Sequence, residues 1–110
     1  MSPGTLRIPA NNLSLSKRFP SLWDALEMFD KTNRKEGALD AKTGHLIQLV
    51  ASATIRSEGS VHNHTRRAVE AGATPEEIRC AVILLTATIG YSTAAAALSW
   101  VDEVLNRAGV

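Results

Sequence analysis

Gly72, followed almost at once by Thr74-Pro75-Glu76-Glu77, is the feature that most restricts what this chain can fold into. Glycine closes helices because it enters left-handed backbone without a Cβ clash. Threonine, proline and glutamate in this order open them. The hydroxyl accepts a free amide of the new terminus, proline fills a position that needs no N–H donor, and the glutamate reaches back to the cap. The chain therefore passes here from helix to helix. On both sides apolar residues recur at helical spacing, and no hairpin dipeptide or sustained alternation appears anywhere. The fold class is all-α.

Taken in order, residues 1–19 carry Pro3, Gly4, Pro9, Asn11-Asn12 and scattered serines without a period. They read as an extended N-terminal arm able to lie across a neighbouring subunit. Residues 20–110 read as a single helical domain. Pro20-Ser21 opens a first helix with Leu22, Trp23, Leu26 and Phe29 on its apolar face, and the charged run 31–36 with Gly37 ends it. Asp40 is the N-cap of a second helix striped by Leu46, Leu49, Val50 and Ala53, with His45 at the stripe's border, fading near Arg56. A third helix runs to Gly72. The fourth is expected to continue to Ile89. Ile78, Ala81, Val82, Leu85 and Ile89 form one apolar face, and Cys80, Ile83, Leu84 and Ala87 form another. After Gly90, Ser92 is expected to cap a last helix, whose Ala94–Ala97 run permits close approach and whose stripe continues through Leu98, Val101, Val104, Leu105 and Ala108.

With 110 residues and only 5% aromatics, the core must be built from Leu, Ile, Val and many alanines. Such a core buries limited area, and a fourth helix apolar on two faces points to further burial between subunits. A homo-oligomer is expected. The net charge is +1 with basic residues dispersed, so neither nucleic acid nor a membrane surface is indicated as a partner, and Arg66-Arg67 reads as a solvated helix face. Cys80 is the single cysteine and is expected to be buried as a small hydrophobe, with no intrachain disulfide available. No signal peptide or membrane-length apolar run is apparent, and a cytoplasmic protein is expected.

The chemistry concentrates between Arg56 and Gly72. Ser57, Ser60 and His64 fall at i, i+3 and i+7 and share one helix face, which continues through Ala68. His62 lies about 200° around the axis from His64 and points elsewhere. His64 is the candidate general acid/base, because imidazole exchanges protons near neutrality. Ser57 and Ser60 are candidate site residues, one expected to cap the helix and the other to bond His64 or a ligand. A helix N-terminus favours an anion, which suits a carboxylate-bearing substrate. His45, His62 and His64 are the candidate metal ligands, with no Asp or Glu expected at ligand spacing. Glu58 reads as exposed charge. No cofactor and no bound metal are expected.

Leu39-Asp40-x-Lys42-Thr43, His64-x3-Ala68-x3-Gly72-x-Thr74-x-Glu76-Glu77-Ile78, and then Gly90 with an alanine-rich helix resemble the carboxymuconolactone decarboxylase / alkylhydroperoxidase D (AhpD-like) family over roughly residues 36–106. The resemblance implies a compact AhpD-like domain of about five to six helices that assembles into homo-oligomers, trimers or hexamers. It also implies a site. The peroxidase branch uses Cys-x2-Cys-x3-His with a glutamate one helix earlier. Those cysteines fall on Ser57 and Ser60, the histidine on His64, and the glutamate on His45. Serine cannot enter a thiol–disulfide cycle, so thiol peroxidase activity is not expected. The decarboxylase branch keeps the histidine without the cysteines. The expected function is therefore small-molecule acid/base chemistry of a decarboxylase or lactone-processing lyase, in a small pocket holding His64 and His45. The alternative is an oligomeric binding module that has lost the redox centre.

Overall fold

The computed structural model describes residues 15–109. The expected extended arm falls largely on residues 1–14, outside that range. Residues 15–18 are a helical turn rather than extended chain, and the Phe19 amide closes onto the Leu15 carbonyl at 2.9 Å. The helices that follow are α1 (Pro20–Glu36), α2 (Ala41–Thr54), α3 (Glu58–Glu70), α4 (Pro75–Ile83), α5 (Thr86–Ile89) and α6 (Tyr91–Ala108). No strand occurs among the described residues, and none of their helices is long and apolar enough to cross a membrane.

The terminus chemistry explains most boundaries. Asp40 accepts the Thr43 amide at 2.7 Å and begins α2. This bond holds the Asp40 carboxyl below its ordinary range. Thr74 and Glu77 form the reciprocal capping box, with N–H···O contacts of 3.1 and 2.9 Å. The end of α3 lies just before this box. Gly72 takes φ +98°, its amide reaches the Val69 carbonyl at 3.0 Å, and the Ala73 amide reaches the Ala68 carbonyl at 2.9 Å. That pair of bonds is the Schellman closure, and Ala68 and Ala73 are both buried beneath it. The Ala68-x3-Gly72 spacing is thus a helix-closing device.

Three expectations need correction. Helix α4 stops at Ile83, and the chain steps through Leu84 and Leu85 into the separate short α5. The Leu85 amide bonds back to Val82 (3.1 Å) and the Thr88 amide to Leu85 (2.9 Å), each three residues apart, in a stretch where β-branched Thr86 and Thr88 weaken α-helical continuation. Cys80 is exposed, because the apolar face it shares with Ile83 and Leu84 faces outward. Ser92 caps nothing. It lies inside α6, which starts at Tyr91 after Gly90 (φ +94°).

The core consists of Leu49 and Ala53 from α2, Val61 and Ala68 from α3, Ala73 and Ile78 and Val82, and Ala97, Val101 and Leu105 from α6. Helix α3 packs against α2 and α6, and α4 and α5 against α6. Helix α1 buries no residue. Its apolar face is present as expected, yet Leu22, Leu26 and Phe29 remain about half to three-quarters exposed.

Candidate functional site

Helices α2 and α3 bring His45 and His64 together. Their Nδ1 atoms lie 3.4 Å apart and their ring centroids 5.6 Å apart, tilted by 34°. His45 is buried at 3% exposure, on the same face as Leu49 and Ala53, and His64 is half-buried. Loss of hydration is the main reason both imidazoles are driven to a pKa of about 4. Arg34 then adds to the shift at His45, and Arg67 at His64. Both rings are therefore neutral at pH 7.

A third group bears on the tautomer of His45. Arg34 reaches from α1, and its Nη2 sits 3.3 Å from His45 Nδ1. Guanidinium only donates, so His45 Nδ1 must be an acceptor and its proton resides on Nε2. His64 Nδ1 stands 3.4 Å from the same atom, and the single lone pair of His45 Nδ1 cannot accept fully from both neighbours, so the two contacts compete for it. With His64 Nδ1 as the donor in that contact, His45 would keep its proton on Nε2 and His64 would present Nε2 as the free acceptor. This is the division of labour that acid/base chemistry needs.

Around the pair is a charged frame that sequence reasoning missed. Arg34 binds Asp30 at 2.8 Å within α1. Arg67 binds Glu27 at 3.0 Å, linking α3 to α1. Asn63 accepts from both Arg66 and Arg67, the latter at 3.4 Å. Arg66 is buried and Arg67 half-buried, so the expected solvated face does not hold for this pair. The i, i+3 spacing of His64 and Arg67 was the available signal. Arg34 gave none, because it meets His45 only through tertiary packing.

The serines behave differently from expectation. Ser57 occupies the N-cap position of α3 without a side-chain capping bond, and its own amide donates to the Ser52 carbonyl at 3.0 Å. Ser60 is half-buried in the first turn. Among the described residues, neither hydroxyl is hydrogen-bonded to His64. The three histidines do not converge as metal ligands either, since His62 turns away to Glu103 at 2.9 Å. A groove of about 480 Å³, lined by residues including Ile83, Tyr91, Ala94 and Leu98, contains neither His45 nor His64.

The fold is a small all-α domain in which α2 and α3 bring His45 and His64 together, with Arg34 and Arg67 close by. Residues 18–103 match the carboxymuconolactone decarboxylase family, and the chain belongs to it. Two solved structures are similar. A carboxymuconolactone decarboxylase family protein from Legionella pneumophila, determined in its apo form, is 26% identical with a TM-score of 0.67, over 84% of this chain and 85% of that one. A carboxymuconolactone decarboxylase candidate from Burkholderia xenovorans LB400 shares the fold at 23% identity and TM-score 0.69, over 96% of this chain and 86% of the other. No curated protein matches the sequence. With Cys80 its only cysteine, the chain lacks the Cys-x2-Cys pair.

Proposed function

We propose that the protein is an acid/base enzyme for a carboxylate-bearing small molecule, of decarboxylase or lactone-processing type, with His64 as base and His45 as proton donor. The observation that carries this reading is the Arg34–His45–His64 cluster, in which two neighbouring neutral rings meet beside a guanidinium donor, an arrangement that suits a proton donor and a proton acceptor side by side. The substrate class follows from the frame. Arg34 and Arg67 each hold a carboxylate of α1, from Asp30 and Glu27, beside the imidazoles. A substrate carboxylate would replace one of these acids and keep the same charge-assisted bond.

The burial of His45 and its cover by Arg34 favour a second reading, a binding module without turnover. Carboxylated lactones supplied to the wild type, Arg67→Ala and His64→Ala proteins distinguish the two. Turnover that disappears in His64→Ala while binding persists, together with weakened binding in Arg67→Ala, supports the enzyme. Binding without turnover in the wild type selects the module. Failure of the whole panel to bind would sink both.

The protein is also expected to self-associate. Leu22, Leu26, Phe29, Ile83 and Leu84 leave apolar faces of α1 and the α4–α5 step uncovered. Light scattering should report a multiple of 11.8 kDa, a trimer or hexamer. A stable monomer at micromolar concentration would overturn this.

A further inference from the structure

On the side of α3 opposite the imidazole pair, three ligating side chains meet. Glu58 and His62 stand four residues apart, on one face of α3 at its first turn. Glu103 comes from α6, and its Oε2 lies 2.9 Å from His62 Nε2. One ligand atom from each of the three falls within 4.8 Å of the others. The expectation that no acid stands at ligand spacing from a histidine is thus wrong. The Glu58-x3-His62 spacing was legible in the sequence, and only Glu103 required the fold.

A surface His–Glu pair accounts for two of these groups but not the third. Glu58 adds a second carboxylate to the same point. Among the described residues neither Glu58 nor Glu103 is ion-paired with a lysine or arginine. Two carboxylates beside an imidazole concentrate negative charge and donor atoms at a point where a bound cation would be favoured. The backbones beneath are held in place, because α3 and α6 share the core through Val61, Ala97, Val101 and Leu105. Donors around a tetrahedral zinc stand about 3.3 Å apart when each is about 2.0 Å from the metal. Rotation of the two exposed glutamate side chains closes the remaining gap.

We infer that Glu58, His62 and Glu103 form a binding site for a divalent transition metal of the zinc class, bridging α3 and α6. One imidazole with two carboxylates suits zinc and its neighbours better than calcium or magnesium, which prefer all-oxygen shells. Three protein donors leave a coordination position for water or a small ligand. The site is separate from the imidazole pair and does not rest on the function proposed above.

The test is calorimetric titration of chelator-treated protein with zinc alone, repeated with cobalt(II) to follow its visible absorption. One zinc per chain is expected, bound in the micromolar range. His62→Ala, Glu103→Gln and Glu58→Gln should each weaken binding about tenfold or more, while His45→Ala and Cys80→Ser shift it less than about twofold. The three ligand side chains are half-buried or exposed, so these variants should retain the wild-type helical circular dichroism. Absence of zinc binding in the wild type overturns the proposal, as does binding that survives His62→Ala or is lost with Cys80→Ser or His45→Ala instead.

Discussion

Helices α1 and α3 are similar in length and both amphipathic, yet they are held by different physics. Helix α3 buries Val61, Thr65, Arg66 and Ala68 and is closed by the Schellman turn at Gly72. Helix α1 buries nothing and is tied to the body through polar side chains, Arg34 to His45 and Glu27 to Arg67. Hydrophobic burial makes α3 a fixed platform for His64. Exposed and half-exposed polar ties make α1 a cover over the same site, with far less energy to hold it in place. The two sides of the candidate site should therefore respond differently to mutation and to pH.

The largest expected contrast is between core and cover. Leu49→Ala removes a fully buried side chain beneath the α2–α3 contact and should cost about 2–5 kcal/mol. Phe29→Ser, on the outer face of α1 at 73% exposure, should change the stability of the isolated chain by less than about 0.5 kcal/mol. Urea unfolding of both variants at low protein concentration measures the difference. Comparable losses would mean that α1 is integral to the core.

Acid should act next, through the imidazole pair. In the unfolded chain both histidines take up a proton near 6.5, whereas in the folded protein they do so only near 4. Between these values the unfolded state binds more protons, so stability falls as pH is lowered through this window and is full above it. The loss should amount to a few kcal/mol at most. It should be visible as a falling thermal midpoint between pH 6.5 and about 4, and His64→Gln should flatten the slope. A wild-type midpoint that stays level across this range would show that the pair is not buried and neutral.

A smaller effect is expected at the end of α3. Gly72 at φ +98° has open space where a Cβ would stand, so the cost of Gly72→Ala is backbone strain alone, about 1–2 kcal/mol. Thermal unfolding should show this drop, and no drop would mean the helix end can close without left-handed backbone.

What the sequence revealed divides along the same line. The start of α2, the end of α3 and the start of α4 were legible because Asp40, Gly72, Thr74 and Glu77 act on backbone groups only a few residues away. The pairing of His45 with His64 is supported by geometry and had been suggested by family resemblance, through the positions of a glutamate and a histidine. Arg34 could not be found this way, because its role depends on how α1 crosses α2. Cys80, Ile83 and Leu84 misled for a related reason. Apolar periodicity shows that a face is apolar without showing what covers it. The break after Ile83 was missed because threonines in a short helical run weaken it only slightly, and packing on α6 decides the outcome.

The smallest effect tests the cover itself. Glu27→Gln removes the negative charge that ties α1 to Arg67 while nearly preserving side-chain volume. Both partners are partly exposed, so global stability should fall by less than about 1 kcal/mol. Local behaviour should change more than global stability, because α1 has no buried side chain to compensate for a lost tie. Trypsin should cut faster at Lys31 and Lys35 in the variant, while Arg66 and Arg67 of α3 stay as resistant as in the wild type. Amide exchange should accelerate along residues 20–36 and remain unchanged along residues 58–70. If exchange rises equally in both helices, the polar ties are not specific to α1. If it rises in neither, the exposed apolar face of α1 is held by something stronger than Glu27, and a second copy of the chain would be the first candidate.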